Sequence, residues 1–229
     1  MNAQISRRGP HAAAFTLIEL LAVIAIIATL MGLLFTAIIA AKNQARRAEA
    51  AAAVREIVSS CKNYQTDYGK FPSVPMALIT GANSEAIYAY GDISQGKCAV
   101  SNDTLFDILR SINRGVNAGH ALNHRQQTYI LTKVAADKRN PRSGFCDGKD
   151  FVGNQGQYMD PWGAQYCVVF SASGEETLDM SRFYSDLSGA QGMLHVSAAA
   201  FSLGRDGKLG GKGAEGRIGG NTDDVFSWK

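Results

Sequence analysis

The chain has 229 residues, with 23 lysines and arginines against 20 aspartates and glutamates, and a formal net charge of +3 at pH 7. Its single long apolar stretch lies near the N-terminus, so the remaining residues suffice for one globular domain. A charge balance this close to neutral argues against a nucleic-acid partner, which requires a strongly basic surface.

Residues 1–14 form a polar, basic segment without hydrophobic periodicity, which is typical of a leader and not of a folded element. An apolar run follows, and between Leu20 and Ala41 it contains no charged residue. A helix needs about 20 apolar residues to cross a membrane, whereas the apolar part of a secretory signal has roughly 7 to 15. We therefore predict a transmembrane helix over residues 15–41. Basic residues lie on both sides of it, so charge alone does not choose its orientation.

The same helix is predicted to continue as an amphipathic helix through residues 42–72. Apolar residues recur there at steps of three and four, and charged residues occupy other faces. The apolar stripe consists of Val54, Ile57, Val58, Cys61, Tyr64 and Tyr68. Gly69 and Pro72 are expected to end the helix.

A variable connecting region is predicted over residues 73–157, which are rich in Gly, Ser and Asn. Within it the pattern favours one helix, from Asp103 to Asn113, and loop elsewhere.

A small sheet is predicted over residues 158–203, because short runs of β-forming residues stand beside turns there. The expected strands are Gln165 to Ser171 and Val196 to Leu203, with a third within Leu178 to Tyr184. Residues 204–229 are expected to form a Gly/Asp-rich loop. The elements together predict an α+β fold, in which one long N-terminal helix packs on a small antiparallel sheet.

A family resemblance begins at the start of the apolar run, in the residues Ala14-Phe15-Thr16-Leu17-Ile18-Glu19-Leu20-Leu21-Ala22-Val23-Ile24-Ala25-Ile26-Ile27. This segment resembles the processing and assembly motif of type IV prepilins and type II secretion pseudopilins. The resemblance implies a pilin fold and a membrane aspartyl peptidase that cuts between Ala14 and Phe15 and methylates Phe15. It also implies that Glu19 guides assembly. The family usually has Gly before the cut, and Ala14 is the closest substitute in size.

Glu19 is also unusual on physical grounds, because an ionised carboxylate in an apolar helix costs several kcal/mol unless it finds a partner. The terminal amine of a neighbouring subunit would be such a partner. The pair would fix the axial stagger between subunits, since a slipped register would leave both charges unpaired. The alternative is an ordinary anchor, with Glu19 at the level of the lipid headgroups.

Three further segments resemble the major pseudopilin of type II secretion. They are Tyr64-Gln65-Thr66-Asp67-Tyr68-Gly69-Lys70-Phe71-Pro72, Asp160-Pro161-Trp162-Gly163-Ala164-Gln165-Tyr166 and Phe201-Ser202-Leu203-Gly204-Arg205-Asp206-Gly207. That family ends in an acidic pair before a tryptophan, as in Asp223-Asp224-Val225-Phe226-Ser227-Trp228 here.

The resemblance implies a structural calcium site in the last loop. Its side-chain candidates are Asp206, Asp223 and Asp224, because Ca²⁺ prefers carboxylate and carbonyl oxygens. The alternative is a Gly-rich tail with solvated aspartates. The connecting region is also longer than the family needs, so a subunit of another pilin-like machine, such as a type IV pilus, remains an alternative.

The four cysteines are an even number in a domain that a membrane anchor would place outside the cytoplasm. Three pairings are open. A bridge between Cys98 and Cys146 is favoured because both lie in loop-like sequence. Cys61 and Cys167 are then buried free thiols or a second bridge.

Other chemical signals are weak. His120 and His124 lack a carboxylate that would complete a zinc motif, so we interpret them as surface histidines. The stretch from Gly211 to Gly216 has the spacing of a dinucleotide fingerprint, but no strand-helix context supports it. No nucleophile, phosphate loop or catalytic carboxylate pair is recognisable, so no enzymatic activity is predicted.

The function implied by the resemblance is structural. The expected subunit sits in the inner membrane by one helix, has its C-terminal domain in the periplasm, and self-associates into a periplasmic or surface filament. Its expected partners are a prepilin peptidase, an inner-membrane assembly platform and minor pseudopilins. The competing hypothesis is an exported or membrane-anchored enzyme or binding protein, because Ser6-Arg7-Arg8 resembles the start of a twin-arginine signal.

Overall fold

The computed structural model describes residues 16–80, 86–92, 97–184, 193–211, 214–215 and 222–228. The chain divides into two compact units, Met1–Gln44 and Ala45–Lys229. The leader and the expected cleavage site, Ala14 and Phe15, lie outside the described residues.

The first helix, α1, spans Leu17–Tyr68 and contributes to both units. Its length follows from an apolar sequence without proline that passes directly into the amphipathic stripe. It ends where predicted: the amide of Gly69 donates a hydrogen bond to the carbonyl of Gln65 at 2.8 Å, after which the chain leaves the helix. The prediction of one long N-terminal helix is confirmed.

The second unit is built around a central antiparallel sheet with smaller two-residue pairings beside it. The strands in chain order are β1 Leu78–Thr80, β2 Ala86–Tyr90, β3 Gly144–Phe145, β4 Tyr158–Met159, β5 Cys167–Ser171, β6 Leu178–Asp179, β7 Met193–Leu194, β8 Ala198–Ser202, β9 Gly210–Gly211, β10 Ala214–Glu215 and β11 Val225–Phe226. Among the described residues the central sheet has five strands in the order β1-β2-β5-β8-β11. A short helix, α2 (Asp103–Leu109), lies between β2 and β3 in the chain.

Both faces of the central sheet are covered. Along β5, Val168 and Phe170 pack in the cluster that contains the outer half of α1, whereas Cys167 and Val169 pack in a cluster on the opposite side. This alternation is the two-residue period of a strand. Because each face meets a core, β5 reads as a continuous apolar run rather than an alternating one.

The outer half of α1, from Ala45 to Tyr68, covers the face of the sheet that carries Val168 and Phe170. It does so through small and medium side chains. Ala50, Val54 and Ile57 have no solvent exposure and share a cluster with Ala198 and Ala200 of β8. Alanines on both surfaces allow the helix and the sheet to approach closely. The second face is covered by later parts of the chain, including Leu178, Phe183 and Phe226. The α+β fold with a long helix packed on an antiparallel sheet is therefore confirmed.

The connecting region packs on the end of α1. The hydroxyl of Tyr64 donates to the carbonyl of Leu122 at 2.6 Å, and the hydroxyl of Ser60 donates to the carbonyl of Tyr129 at 2.9 Å. Tyr64 also stacks on Tyr68 with ring centroids 4.3 Å apart. These contacts fix the region to the helix through Leu122 and Tyr129, which lie outside its helices and strands.

Some predicted elements were wrong in detail. The region expected to be loop outside its helix contains β1 and β2, and β2 pairs with β5 along Ile87 to Tyr90. The strand predicted within Leu178 to Tyr184 is present as β6, although it has two residues and pairs with β7 outside the central sheet. Short strands of this kind depend on partners far along the chain, which local propensity does not reveal.

Candidate assembly and cation sites

The first half of α1 exposes apolar surface along its length. Every Leu, Ile, Val, Met and Phe from Leu17 to Ile39 is exposed, from 43% at Ile38 to 83% at Leu17. Among the described residues α1 is long and apolar enough to cross a membrane. A surface of this kind is stable only against lipid or against other apolar helices.

Glu19 closes the N-terminal turn of this helix with Thr16. The Glu19 carboxylate oxygen Oε2 accepts hydrogen bonds from the Thr16 amide at 2.8 Å and from the Thr16 hydroxyl at 2.6 Å. The Thr16 hydroxyl oxygen in turn accepts a hydrogen bond from the Glu19 amide at 3.3 Å. This reciprocal arrangement is a capping box, which satisfies backbone donors that a helix start otherwise leaves free.

The capping box is a feature that our sequence reasoning missed, although its Thr-x-x-Glu spacing was readable. It gives Glu19 a local partner in the isolated chain. The carboxylate is therefore held at the first turn of α1, where the helix dipole favours a negative charge. The arrangement fixes where the charge of Glu19 is presented at the start of the apolar surface.

A long helix that exposes an apolar half and packs its other half on an antiparallel sheet is consistent with the α+β pilin fold. Residues 10–35 match the family model of the prokaryotic N-terminal methylation motif. The chain therefore carries a type IV prepilin-like methylation motif, and the apolar helix that α1 forms in the described residues is consistent with a single-pass membrane anchor. Such a motif implies processing by a prepilin peptidase and assembly into a pilus, which is a structural role. The chain matches no curated protein and no solved structure.

The C-terminal acidic pair lies against the turn that follows β8. Asp223 Oδ2 accepts hydrogen bonds from the amides of Arg205 at 2.6 Å and Asp206 at 3.1 Å. Gly204 has a φ of +66°, and a Cβ at this position would lie 2.5 Å from the carbonyl oxygen of Asp223. The close approach of the two segments therefore requires glycine.

Asp224 is the more deeply buried of the two. Its Oδ2 accepts hydrogen bonds from the Tyr184 hydroxyl and the Gly210 amide, both at 2.8 Å. Burial, with a further contribution from the negative charges of Asp223 and Asp206, raises the pKa of Asp224 to about 7. Its negative charge is therefore poorly compensated by the surrounding residues that the structure describes.

The carboxylates of Asp223 and Asp224 each have an unused oxygen. Their Oδ1 atoms are buried and accept no hydrogen bond within the described part of the chain. Buried acceptors without a partner are uncommon, and hard oxygens beside uncompensated charge fit a calcium ion. Asp206 is exposed and its Oδ1 accepts a hydrogen bond from the Lys208 amide at 2.9 Å. In the described residues no three His, Cys, Asp or Glu side chains are placed to hold a metal together, so backbone or water oxygens would have to contribute.

The structure does not bring the favoured cysteine pair together. All four cysteines are free, and Cys98 and Cys146 belong to different clusters. Cys98 instead packs with Cys167 on the second face of the sheet. The loop-like sequence around Cys98 and Cys146 carries no information on their distance in space, because each cysteine packs in a cluster formed by residues far along the chain.

The structure gives no support to a zinc site at His120 and His124. His120 lies 3.0 Å from the Ser111 hydroxyl through Nδ1, and His124 contacts the edge of the Tyr68 ring. The two histidines therefore take part in separate local contacts. The residues from Gly211 to Gly216 lie partly outside the described residues.

Proposed function

We propose that the chain is a pseudopilin that is cut before Phe15, anchored in the inner membrane, and assembled into a filament that drives type II protein secretion. The observation that carries the proposal is the carboxylate of Glu19, hydrogen-bonded to Thr16 at the start of the exposed apolar half of α1 and within the methylation motif. In a filament the apolar halves of neighbouring subunits would pack together. The segments that resemble the major pseudopilin support secretion over a type IV pilus. The assembly platform and minor pseudopilins are proposed partners on the same ground.

The processing step is tested by mass spectrometry of the N-terminus of the membrane-bound protein. We expect the chain to begin at N-methylated Phe15. An uncut Met1, or a cut beyond Ala41, would instead identify an exported or anchored protein of another class.

The role of Glu19 in assembly is tested by separating its charge from its capping. Glu19→Gln keeps an acceptor for the Thr16 amide but carries no charge, and Thr16→Ala removes the hydroxyl while keeping the charge. If the charge pairs with a neighbouring subunit, Glu19→Gln should lose at least about ten-fold of the chain recovered in filaments, since an unpaired buried charge costs several kcal/mol. Thr16→Ala should assemble. Equal assembly of wild type and Glu19→Gln would show that capping alone explains the residue.

We further propose that Ca²⁺ binds the acidic pair through Asp223 and Asp224, with backbone oxygens of the adjoining loop. Bound Ca²⁺ would supply the positive charge that the buried carboxylates lack. Asp206 contributes to the negative potential at the loop.

The calcium proposal is tested by thermal unfolding of the full chain in detergent. Saturating Ca²⁺ should raise Tm by several degrees over EDTA, because a ligand at about 100 times its Kd adds about 2.7 kcal/mol. Asp224→Asn should abolish the shift, whereas Asp150→Asn, at an exposed aspartate elsewhere, should keep it. Identical Tm values of the wild type in Ca²⁺ and EDTA would contradict the proposal.

A further inference from the structure

Cys98 and Cys167 form a pair of buried thiols that the proposed filament function does not use. They are 7% and 3% exposed and lie in the same apolar cluster, on the face of the sheet away from α1. We propose that these two thiols are oxidised to an intramolecular disulfide that ties the connecting region to the central sheet.

The geometry comes from Gly91, which directly follows β2. Tyr90 pairs with Val168 in the antiparallel register, so Gly91 comes next to Cys167. A Cβ at Gly91 would lie 2.7 Å from the Cys167 sulfur and 3.1 Å from the Cys98 sulfur. The distance between the two sulfurs therefore cannot exceed the sum of these two distances.

The missing side chain at Gly91 is what allows this approach. Its φ is +150°, and any Cβ would enter the space that both sulfurs border. A disulfide requires a sulfur–sulfur distance of about 2 Å and Cβ atoms about 4 Å apart. The two cysteine thiols are already hydrogen-bonded to each other beside this glycine, so the bridge requires only that the two sulfurs move closer.

Cys61 and Cys146 are not placed to pair with Cys98 or Cys167. All four lie in the described part of the chain. Cys61 packs in the cluster between α1 and the sheet, and Cys146 packs in a third cluster with Ala135 and Phe151. Cys98 and Cys167 are thus the pair that shares one cluster.

The oxidation needs an electron acceptor, which we identify by class as a dithiol–disulfide exchange protein or a small-molecule disulfide. One cysteine thiolate attacks the oxidant's disulfide and forms a mixed disulfide. The other thiolate then displaces the oxidant's second sulfur. One intramolecular S–S bond forms and the oxidant's S–S bond breaks, and the two electrons and two protons of the cysteine thiols end on the oxidant's two sulfurs as thiols.

The environment sets when this reaction occurs. A hydrogen bond with the Cys167 thiol, together with burial, raises the pKa of Cys98 well above its ordinary value. Because the thiolate is the nucleophile, the folded pair reacts slowly, and the bridge forms while the chain folds. It then closes the whole segment between the two cysteines, α2 included, into one loop.

The experiment uses the full chain, unfolded with reductant and refolded in detergent with a mixture of oxidised and reduced glutathione. Remaining thiols are alkylated in denaturant, and the chain is digested without reductant for mass spectrometry. We expect two alkylated cysteines and one peptide pair linked through Cys98 and Cys167. Reducing the bridge should lower Tm by roughly 10 °C, because a loop of this length gains much from closure.

Matched variants identify the bridge. Cys61→Ser and Cys146→Ser should keep the linked peptides, whereas Cys98→Ser and Cys167→Ser should lose them and leave every remaining cysteine alkylated. The wild-type measurement decides the matter even if a variant fails to fold. Four alkylated cysteines after oxidation, or a link to Cys61 or Cys146, would overturn the proposal. The result does not depend on whether the chain assembles into filaments.

Discussion

Asp160 is a fully buried carboxylate that joins the turn after β4 to β8. Its Oδ1 accepts hydrogen bonds from the amides of Trp162, Gly163 and Ala164 at 2.8 to 2.9 Å. Its Oδ2 accepts one from the Ser202 hydroxyl at 2.6 Å. Burial raises the pKa of Asp160 above its ordinary value, although these donors act in the opposite direction. The oxygens of Asp160 therefore stabilise the fold as hydrogen-bond acceptors, whereas its negative charge is disfavoured by burial.

A pH series on Asp160→Asn tests this balance at the scale of one residue. A folded-state pKa above the unfolded value of about 3.9 means that this group's contribution to stability is full below about pH 4. The contribution is lost as the pH rises through the folded-state pKa. Asn is neutral throughout, so the unfolding free energy of Asp160→Asn relative to wild type should increase as the pH rises from 4 to 8, measured by urea denaturation.

Asp160→Ala is the matched control, because it removes all four acceptor contacts. It should cost about 3 kcal/mol near pH 4, as buried donors lose their partner. Because Ala is neutral like Asn, this cost relative to wild type should decrease as the pH rises, in parallel with Asp160→Asn. A relative stability of Asp160→Asn that falls with rising pH would mean that the four donors outweigh burial.

The helices and strands that could be predicted from the sequence are those whose pattern lies within a short stretch of the chain. The start of α1 is read from an uninterrupted apolar run, and the outer half from a three-and-four periodicity. The strands β5 and β8 are read from five-residue runs that are buried on both faces. Thr16 and Glu19 are three residues apart, so their capping box was also within reach of the sequence.

The elements that were missed depend on distant partners. The strand β2 is a short run of Ala, Ile and Tyr that becomes a strand because β5 pairs with it. The strand β11 adds two residues to the edge of β8 from the end of the chain. Cys98 meets Cys167 for the same reason, since Gly91 brings them together only after β2 and β5 have paired. No spacing along the chain carries that information.

At the scale of the whole molecule, the two units meet different physical requirements. Within the described residues, the buried apolar clusters begin at Ala50 and all their members belong to the second unit, which therefore has a core of its own. The first unit has an apolar helical surface, and its described residues 16–39 are all exposed. A chain that begins at Ala45 should therefore fold and stay soluble without detergent.

This expectation is checked by expressing residues 45–229 beside the full chain. The shorter chain should unfold cooperatively by circular dichroism and sediment as a monomer, whereas the full chain should pellet unless detergent or lipid covers its apolar helix. In the full chain, Leu30→Lys together with Leu34→Lys places two charges in the apolar half of α1. The double variant should be more soluble than wild type and should not insert into the membrane, because each lysine costs about 3 kcal/mol at the bilayer centre. A shorter chain that is unfolded would show that the globular core depends on the anchor. One that is folded but oligomeric would place an association surface within the second unit, and assembly would then not rest on the apolar helix alone.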